Sequence, residues 1–263
     1  MWKKFQSLIE TPMINFGAII QARQNSSRLP GKMTKSLLGR PLIARVVEQV
    51  SYSELLNQVI VATSNEESDN VLADLCDSYG IECFRGNLNN VLKRFINAAE
   101  KYNLDVIIRV TGDNPLTDPE LIDSVISEYN NNPKLDYINN VHLRGSVHGS
   151  GCELVTTRAL KRAYEEALNA EKRDEFLEHV TLYIRKNTDR FNAKRFYPGK
   201  QLSRPEISYS VDYPEDFELV EKIYESLYSD KKPFKTRNVL EFLDRNSELL
   251  ELNSALHDKL PEY

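Results

Sequence analysis

The chain has 263 residues, 34 of them basic and 39 acidic, for a formal charge of −5, and 41% are hydrophobic. This is the balance of a soluble α/β domain with room for a short extension. It argues against a general polyanion-binding surface, hence against nucleic acid as a partner, and the apolar runs are too short to cross a bilayer.

Residues 1–14 carry two early lysines but no continuous apolar core. They read as an N-terminal extension and not as a signal peptide, which points to the cytoplasm. Residues 16–20, FGAII, form an apolar run of buried-strand length. A polar loop punctuated by Gly and Pro follows and carries Arg23, Arg28 and Lys32. Pro41 opens a helix that continues to residue 50, with Leu42, Ile43, Val46, Val47 and Val50 at helical spacing. Residues 59–62 are a second strand, ending in Thr63-Ser64-Asn65, and a helix is expected over 66–79. Residues 81–84 are a third strand, Arg85-Gly86 a turn, and 88–102 a helix. A fourth strand over 106–110 ends in Thr111-Gly112-Asp113-Asn114-Pro115. Asp118 caps the next helix, with Pro119 at its first position, and that helix runs to residue 130.

Beyond Leu135 the rhythm changes. A strand is expected over 137–141, a Gly/Ser-rich loop over 144–151, and helices over 157–169 and 174–186. Residues 191–197 read as a strand. Ile207, Tyr209 and Val211 alternate with polar residues, predicting a strand that ends at Asp212. Pro214-Glu215-Asp216 opens a helix to residue 228, its acids at the positive end of the dipole. Helical patterns over 237–246 and 247–259 close the chain. This alternation demands a doubly wound, mainly parallel sheet with helices on both faces. The three cysteines, Cys76, Cys83 and Cys152, have no ligand-like spacing and read as unpaired thiols.

In an open α/β sheet, ligands bind at the carboxyl ends of the strands. The first loop places three cations there. Its small residues Ala22, Ser26, Ser27 and Gly31 let backbone N–H groups approach an anion, so a polyphosphate is the natural guest. It is not a Walker loop, because Gly31-Lys32 is followed by Met33. The bland alternative is a solvated basic surface. Asp113 and Asp212 each end a predicted strand before a Pro-bearing turn. Each alone is most simply a turn cap. Together with the cationic loop, they can share a hard cation such as Mg²⁺.

The run AIIQAR…SSRLPGK closely resembles the signature loop of the cytidylyltransferases that make CMP-activated sugar acids, the CMP-octulosonate and CMP-sialate synthetases. The nearest branch is that of spore-coat polysaccharide biosynthesis. The resemblance covers most of residues 16–222. It implies a fold of nucleotide-diphospho-sugar transferase type, with a dimerisation and acceptor-binding insertion over 137–197 inside a nucleotidyltransferase domain of residues 15–263. It implies that Arg23 and Lys32, with Arg28 in a lesser role, hold the triphosphate of CTP beside the backbone of Ala22. Thr63, Asn65, Arg85 and Thr111 then fall near the nucleotide, and Asp113 and Asp212 match the metal aspartates. Glu153, in the segment Gly151-Cys152-Glu153-Leu154, and Glu178-His179, in a helix resembling the family's R-E-H-V-T helix, become acceptor contacts or a base. Glu178-His179 can equally belong to a helix at a subunit interface. Asn89-Asn90 replace an acidic pair usual in the family. His142 and His148 flank the Gly-rich loop, and His257 reads as plain surface.

The resulting expectation is a Mg²⁺-dependent homodimeric enzyme that transfers CMP from CTP to a sugar acid and releases pyrophosphate. The alternatives are a nucleotidyltransferase acting on a sugar or polyol phosphate, a glycosyltransferase, and a non-catalytic nucleotide-binding module.

Overall fold

The computed structural model describes residues 13–141 and 146–257. Most of the expected N-terminal extension, His142, and residues 144–145 of the Gly/Ser loop lie outside the described residues. In chain order the strands are β1 (Phe16–Gln21), the short hairpin β2 (Ser36–Leu37) and β3 (Arg40–Pro41), β4 (Gln58–Ser64), β5 (Glu82–Gly86), β6 (Val106–Thr111), β7 (Tyr137–Asn139), β8 (Glu153–Thr156) and β9 (Ala193–Arg195). The helices are α1 (Leu42–Val50), α2 (Asn70–Ser78), α3 (Val91–Lys101), α4 (Pro119–Asn131), α5 (Thr157–Ala167), α6 (Arg173–Glu178), α7 (Leu182–Lys186), α8 (Pro214–Leu227), α9 (Thr236–Arg245) and α10 (Ser254–His257).

Seven strands form one mixed sheet in the order β5-β4-β1-β6-β8-β7-β9. The strands β5, β4, β1 and β6 run parallel, while β8 is antiparallel to both of its neighbours. β1 is central because it is apolar on both faces. Its Ala18 and Ile20 join one core with Ile43, Val46, Ile122 and Val125 of α1 and α4. Its Ile19 joins the opposite core with Phe95 of α3 and Leu160 of α5. A third apolar cluster gathers Tyr209, Val211, Phe217, Val220, Ile223 and Leu240, packing α8 and α9 beside the sheet.

The expected doubly wound class is what forms, with local differences. The α4 cap is as read: the Asp118 carboxylate accepts from Glu120 N at 2.9 Å and Pro119 is the first helical residue. Pro41 is the N-cap of α1, preceded by the β2–β3 hairpin that the pattern did not signal. Arg85-Gly86 is not a turn; both residues continue β5, whose register pairs Arg85 with Thr63 and Gly86 with Ser64. The helix expected over 174–186 is broken into α6 and α7, because His179 takes an extended conformation at φ −103°, ψ 98°. Residues 207–211 do not alternate in burial as expected: all five are buried, the serines included, and they form no ladder. They hold to the body through Tyr209 N to His148 O at 2.8 Å and Val211 N to Asp113 O at 2.8 Å. Residues 137–197 supply β7, β8 and β9 of the central sheet, so this stretch continues the main layer. No helix among the described residues is long and apolar enough to cross a membrane.

Candidate active site

The carboxyl ends of β1 and β6 meet because Gly112 lets them. A Cβ at that position would sit 3.1 Å from Ala22 Cβ and 3.2 Å from the Gln21 carbonyl. The loop after β1 is then pinned by a buried acid. Asp69, 1% exposed, accepts from Gln24 N at 2.7 Å and Ser64 N at 3.0 Å, and also from the Ser64 hydroxyl. Burial pushes the Asp69 carboxyl up, and these hydrogen bonds outweigh it, holding the group below its ordinary value.

Lys32 stands between the two aspartates. Its Nζ donates to Asp113 Oδ2 at 2.9 Å, Asp212 Oδ1 at 3.0 Å and the Val211 carbonyl at 2.8 Å. Burial disfavours the ammonium, but the charges of Asp113 and Asp212 outweigh it and raise its pKa. Asp113 shows the reciprocal effect: desolvation raises it and the Lys32 charge brings it below its ordinary value. Arg28 Nη2 reaches Asp212 Oδ1 at 2.7 Å, and its guanidinium lies 5.2 Å over the Tyr213 ring. Arg28 is thus built into the acid pair more firmly than its lesser role in the resemblance implies. Arg23 is exposed and has no carboxylate partner among the described residues.

A cavity of about 220 Å³ opens over this edge. It is lined by Ala22, Arg23, Arg28, Lys32, Thr111, Asp113 and Asp212, and Glu178 and His179 reach it from the break between α6 and α7. Nine of the expected site residues therefore share one concavity. Four do not line it. Thr63 is fully buried in β4. Asn65 is exposed beyond the strand, its N–H on the Gly86 carbonyl at 2.8 Å. Arg85 donates to the Ser64 carbonyl at 2.9 Å and the Glu66 carbonyl at 3.0 Å, bracing the loop after β4.

Glu153, expected to touch the acceptor, is instead 1% exposed within β8. Its carboxylate pairs with Arg109 and accepts from the Tyr137 hydroxyl and, at 2.7 Å, from Thr181 Oγ1. Burial would raise its pKa, but Arg109 and Arg185 with these hydrogen bonds bring it down to about 2. The group is committed inside the protein, two residues from His179 through Thr181. His148 is half-buried against Ser208 Oγ at 3.0 Å. Sequence reasoning missed Asp69 and Arg94, which also lines the cavity. Both look like ordinary charged residues at the start of surface helices, and their surroundings are set by distant strands.

The acids fit a hard cation. Both point an oxygen at the one position held by Lys32 Nζ. Among the described residues no group of three or more His, Cys, Asp or Glu is placed to hold a metal. A cation there would need substrate phosphate oxygens as well, which is how Mg²⁺ is commonly held.

A cationic loop, paired acids and a cavity at the carboxyl edge of a doubly wound sheet define a nucleotide-using transferase. The chain belongs to the cytidylyltransferase family, whose model matches residues 17–241. It is 36% identical over 241 residues to an uncharacterized protein of Methanocaldococcus jannaschii, covering 92% of this chain and 95% of the relative. It is 31% identical to the spore coat polysaccharide biosynthesis protein SpsF of Bacillus subtilis, covering 87% of this chain and 93% of the relative. A 3-deoxy-manno-octulosonate cytidylyltransferase of Bdellovibrio bacteriovorus is 29% identical, with 79% of this chain and 97% of the relative covered. In fold, the chain matches a cytidylyltransferase of Leptospira borgpetersenii with a TM-score of 0.83 at 23% identity, over 95% of this chain and 100% of that one.

Proposed function

We propose that the protein transfers CMP from CTP to a sugar acid, with Mg²⁺ and with release of pyrophosphate. The observation that carries this is the convergence of Asp113 and Asp212 on Lys32 at the mouth of the cavity. The name of the Bdellovibrio relative, a 3-deoxy-manno-octulosonate cytidylyltransferase, supports a sugar acid as acceptor, and that of the Bacillus relative supports a place in polysaccharide synthesis.

In this reading Lys32, Arg23 and Arg28 neutralise the triphosphate, and the loop backbone approaches it closely. An acceptor hydroxyl attacks the α-phosphorus, the bond from that phosphorus to the bridging oxygen breaks, and pyrophosphate leaves. Bound Mg²⁺ supplies charge neutralisation on the phosphate oxygens, held by Asp113 and Asp212. Glu178 and His179, exposed at the cavity rim, contact the acceptor. The protein's contribution is positioning and electrostatics. The test is a pyrophosphate-release screen of CTP, UTP, GTP and ATP against sugar acids, sugar phosphates and polyol phosphates with Mg²⁺. Pyrophosphate only with a phosphorylated acceptor would replace the sugar acid. Release of a nucleoside mono- or diphosphate from a nucleotide sugar would instead make the protein a glycosyltransferase.

A further inference from the structure

The two aspartates that meet Lys32 are held in place by different means. Asp113 follows β6, which pairs on one side with β1 and on the other with β8. Asp212 follows residues 207–211, which join no ladder among the described residues. Their main chain is tied to the body by an isolated bridge between His148 and Ser208 and by the Val211 N–H on the Asp113 carbonyl at 2.8 Å. The rest of the hold on Asp212 comes from one buried carboxylate. Asp216 has no exposed surface, and its Oδ2 accepts from the N–H of Asp212 at 2.9 Å and of Tyr213 at 2.8 Å. Its Oδ1 faces the other way and accepts from Asn253 Nδ2 at 2.8 Å and His257 Nε2 at 2.7 Å. An ionised carboxylate only accepts, so Nε2 carries the proton. Asn253 is 4% exposed, and its Nδ2 also reaches the Ser208 carbonyl at 3.2 Å. The end of the chain thus grips both the segment before Asp212 and the turn after it.

Both donors lie beyond residues 17–241, the span that the family's model matches. Without them, a carboxylate oxygen in the interior has nothing to accept from. It must turn toward water, and the opposite oxygen then loosens its hold on the Asp212 N–H. The Asp212 carboxylate is the group that meets Lys32 Nζ at 3.0 Å and faces the cavity. We propose that Asn253 and His257 are positioning residues for the transfer reaction: the C-terminal tail, clamped on Asp216, fixes the Asp212 carboxylate where it meets Lys32 and the metal. This rests on Asp212 being a metal ligand, as in the proposed function. Groups that orient a metal's ligand typically change affinity or activity by roughly 10–100-fold when lost.

The test compares the full chain with its His257→Leu, His257→Gln, Asn253→Ala and Asp212→Asn variants, with thermal melts to confirm folding. Mn²⁺ binding is read by electron paramagnetic resonance at saturating CTP, CTP binding by calorimetry in EDTA, and turnover by pyrophosphate release. His257→Leu is expected to weaken Mn²⁺ binding and to lower kcat, each by roughly tenfold or more, while CTP binding in EDTA stays as in the wild type. His257→Gln keeps a donor near the Nε2 position and should recover most of the Mn²⁺ affinity. Asn253→Ala should act in the same direction as His257→Leu, and it covers the case in which His257→Leu does not fold. A lowered melting temperature with Mn²⁺ affinity and kcat unchanged would make the clamp a support of the fold alone and overturn the proposal. So would a loss in His257→Leu that His257→Gln does not recover. Unchanged Mn²⁺ affinity in Asp212→Asn would instead sink the metal reading of Asp212, and the proposal with it.

Discussion

His257 Nε2 lies 2.7 Å from Asp216 Oδ1, and so ties the C-terminal helix α10 to the turn that presents Asp212. Asn253 Nδ2 reaches the same oxygen at 2.8 Å. The other oxygen accepts from the backbone N–H groups of Asp212 at 2.9 Å and Tyr213 at 2.8 Å. His257 is thus no plain surface residue; its side chain is 7% exposed.

The first prediction follows from this cluster. Burial raises the Asp216 pKa, and the bonds from His257, Asn253 and the backbone outweigh it, leaving it below 3.8. A depressed carboxyl contributes stability that is present above its unfolded pKa and lost as pH falls through the folded one. Asp216→Asn is expected to cost roughly 2–4 kcal/mol near neutrality. In urea unfolding, the gap from wild type should shrink on moving from pH 7 to strongly acidic solution. A gap that stays constant with pH would show that the charge of Asp216 is not what holds the turn.

Glu153 gives a second, separable acid effect. Its pKa falls from 4.5 to about 2, chiefly because the Arg109 and Arg185 charges overcome burial. The shift corresponds to about 3 kcal/mol of stability, present above pH 4.5 and lost progressively toward pH 2. Glu153→Gln should lose about that much at pH 7. Because Arg109 also donates to Gln21 Oε1 at 3.2 Å, the same change should loosen the floor of the cavity. Stability of Glu153→Gln equal to wild type at pH 7 would refute the assignment of the pair as a structural anchor.

These two acids also mark what could and could not be read in the sequence. β1, β4 and β6 were legible because they are continuous apolar runs, and the cap at Asp118 because capping is local. β8 was not, since Glu153 opens it and a charge in a short strand looks like a loop. Its partners Arg109 and Thr181 stand 44 and 28 residues away. Thr63 misled in the opposite sense: a polar residue at a strand end resembles a ligand contact, but the pairing of β4 with β5 buries it. The grouping of Lys32, Asp113 and Asp212 was accessible because each follows a recognisable strand or loop. Asp216, Asp69 and Arg94 act across long sequence separations that pattern alone does not connect.

A third prediction concerns Lys32. Its ammonium holds both acids, and it faces the cavity where phosphates are proposed to bind. Lys32→Ala should weaken CTP binding and turnover together, by roughly 1.5–3 kcal/mol. It should also take away the Lys32 charge, the strongest influence holding the Asp113 carboxyl down against burial, and so raise its pKa, moving the acid limb of the pH–rate profile to higher pH. Unchanged affinity and rate would remove the loop from the active site.

A fourth prediction is a homodimer formed through residues 137–197. Among the described residues the edge strand β9 pairs with β7 alone, and Lys194 and Arg195 are exposed. Multi-angle light scattering at working concentration should give twice the chain mass. A fully active monomer would end the proposal.

The last prediction concerns the proposed metal. Asp113 and Asp212 are far apart in sequence, yet each approaches Lys32 Nζ within 3.0 Å. Two carboxylates this close repel, and a cation between them relieves the repulsion. In the free protein the Lys32 ammonium already does so, and a divalent ion must compete with it. CTP changes the balance, because its phosphates attract Lys32 and add oxygen ligands for Mg²⁺. Metal should therefore bind weakly to the free protein and tightly with CTP, as read by Mn²⁺ electron paramagnetic resonance with and without nucleotide. Asp113→Asn and Asp212→Asn should each abolish most turnover while leaving the fold intact. The double variant should be little worse than either single one, because both act on one ion. Turnover of the three variants across a Mg²⁺ titration decides the matter. Independent, multiplicative losses, or a near-normal rate in either single variant, would mean that the two aspartates do not share a catalytic metal.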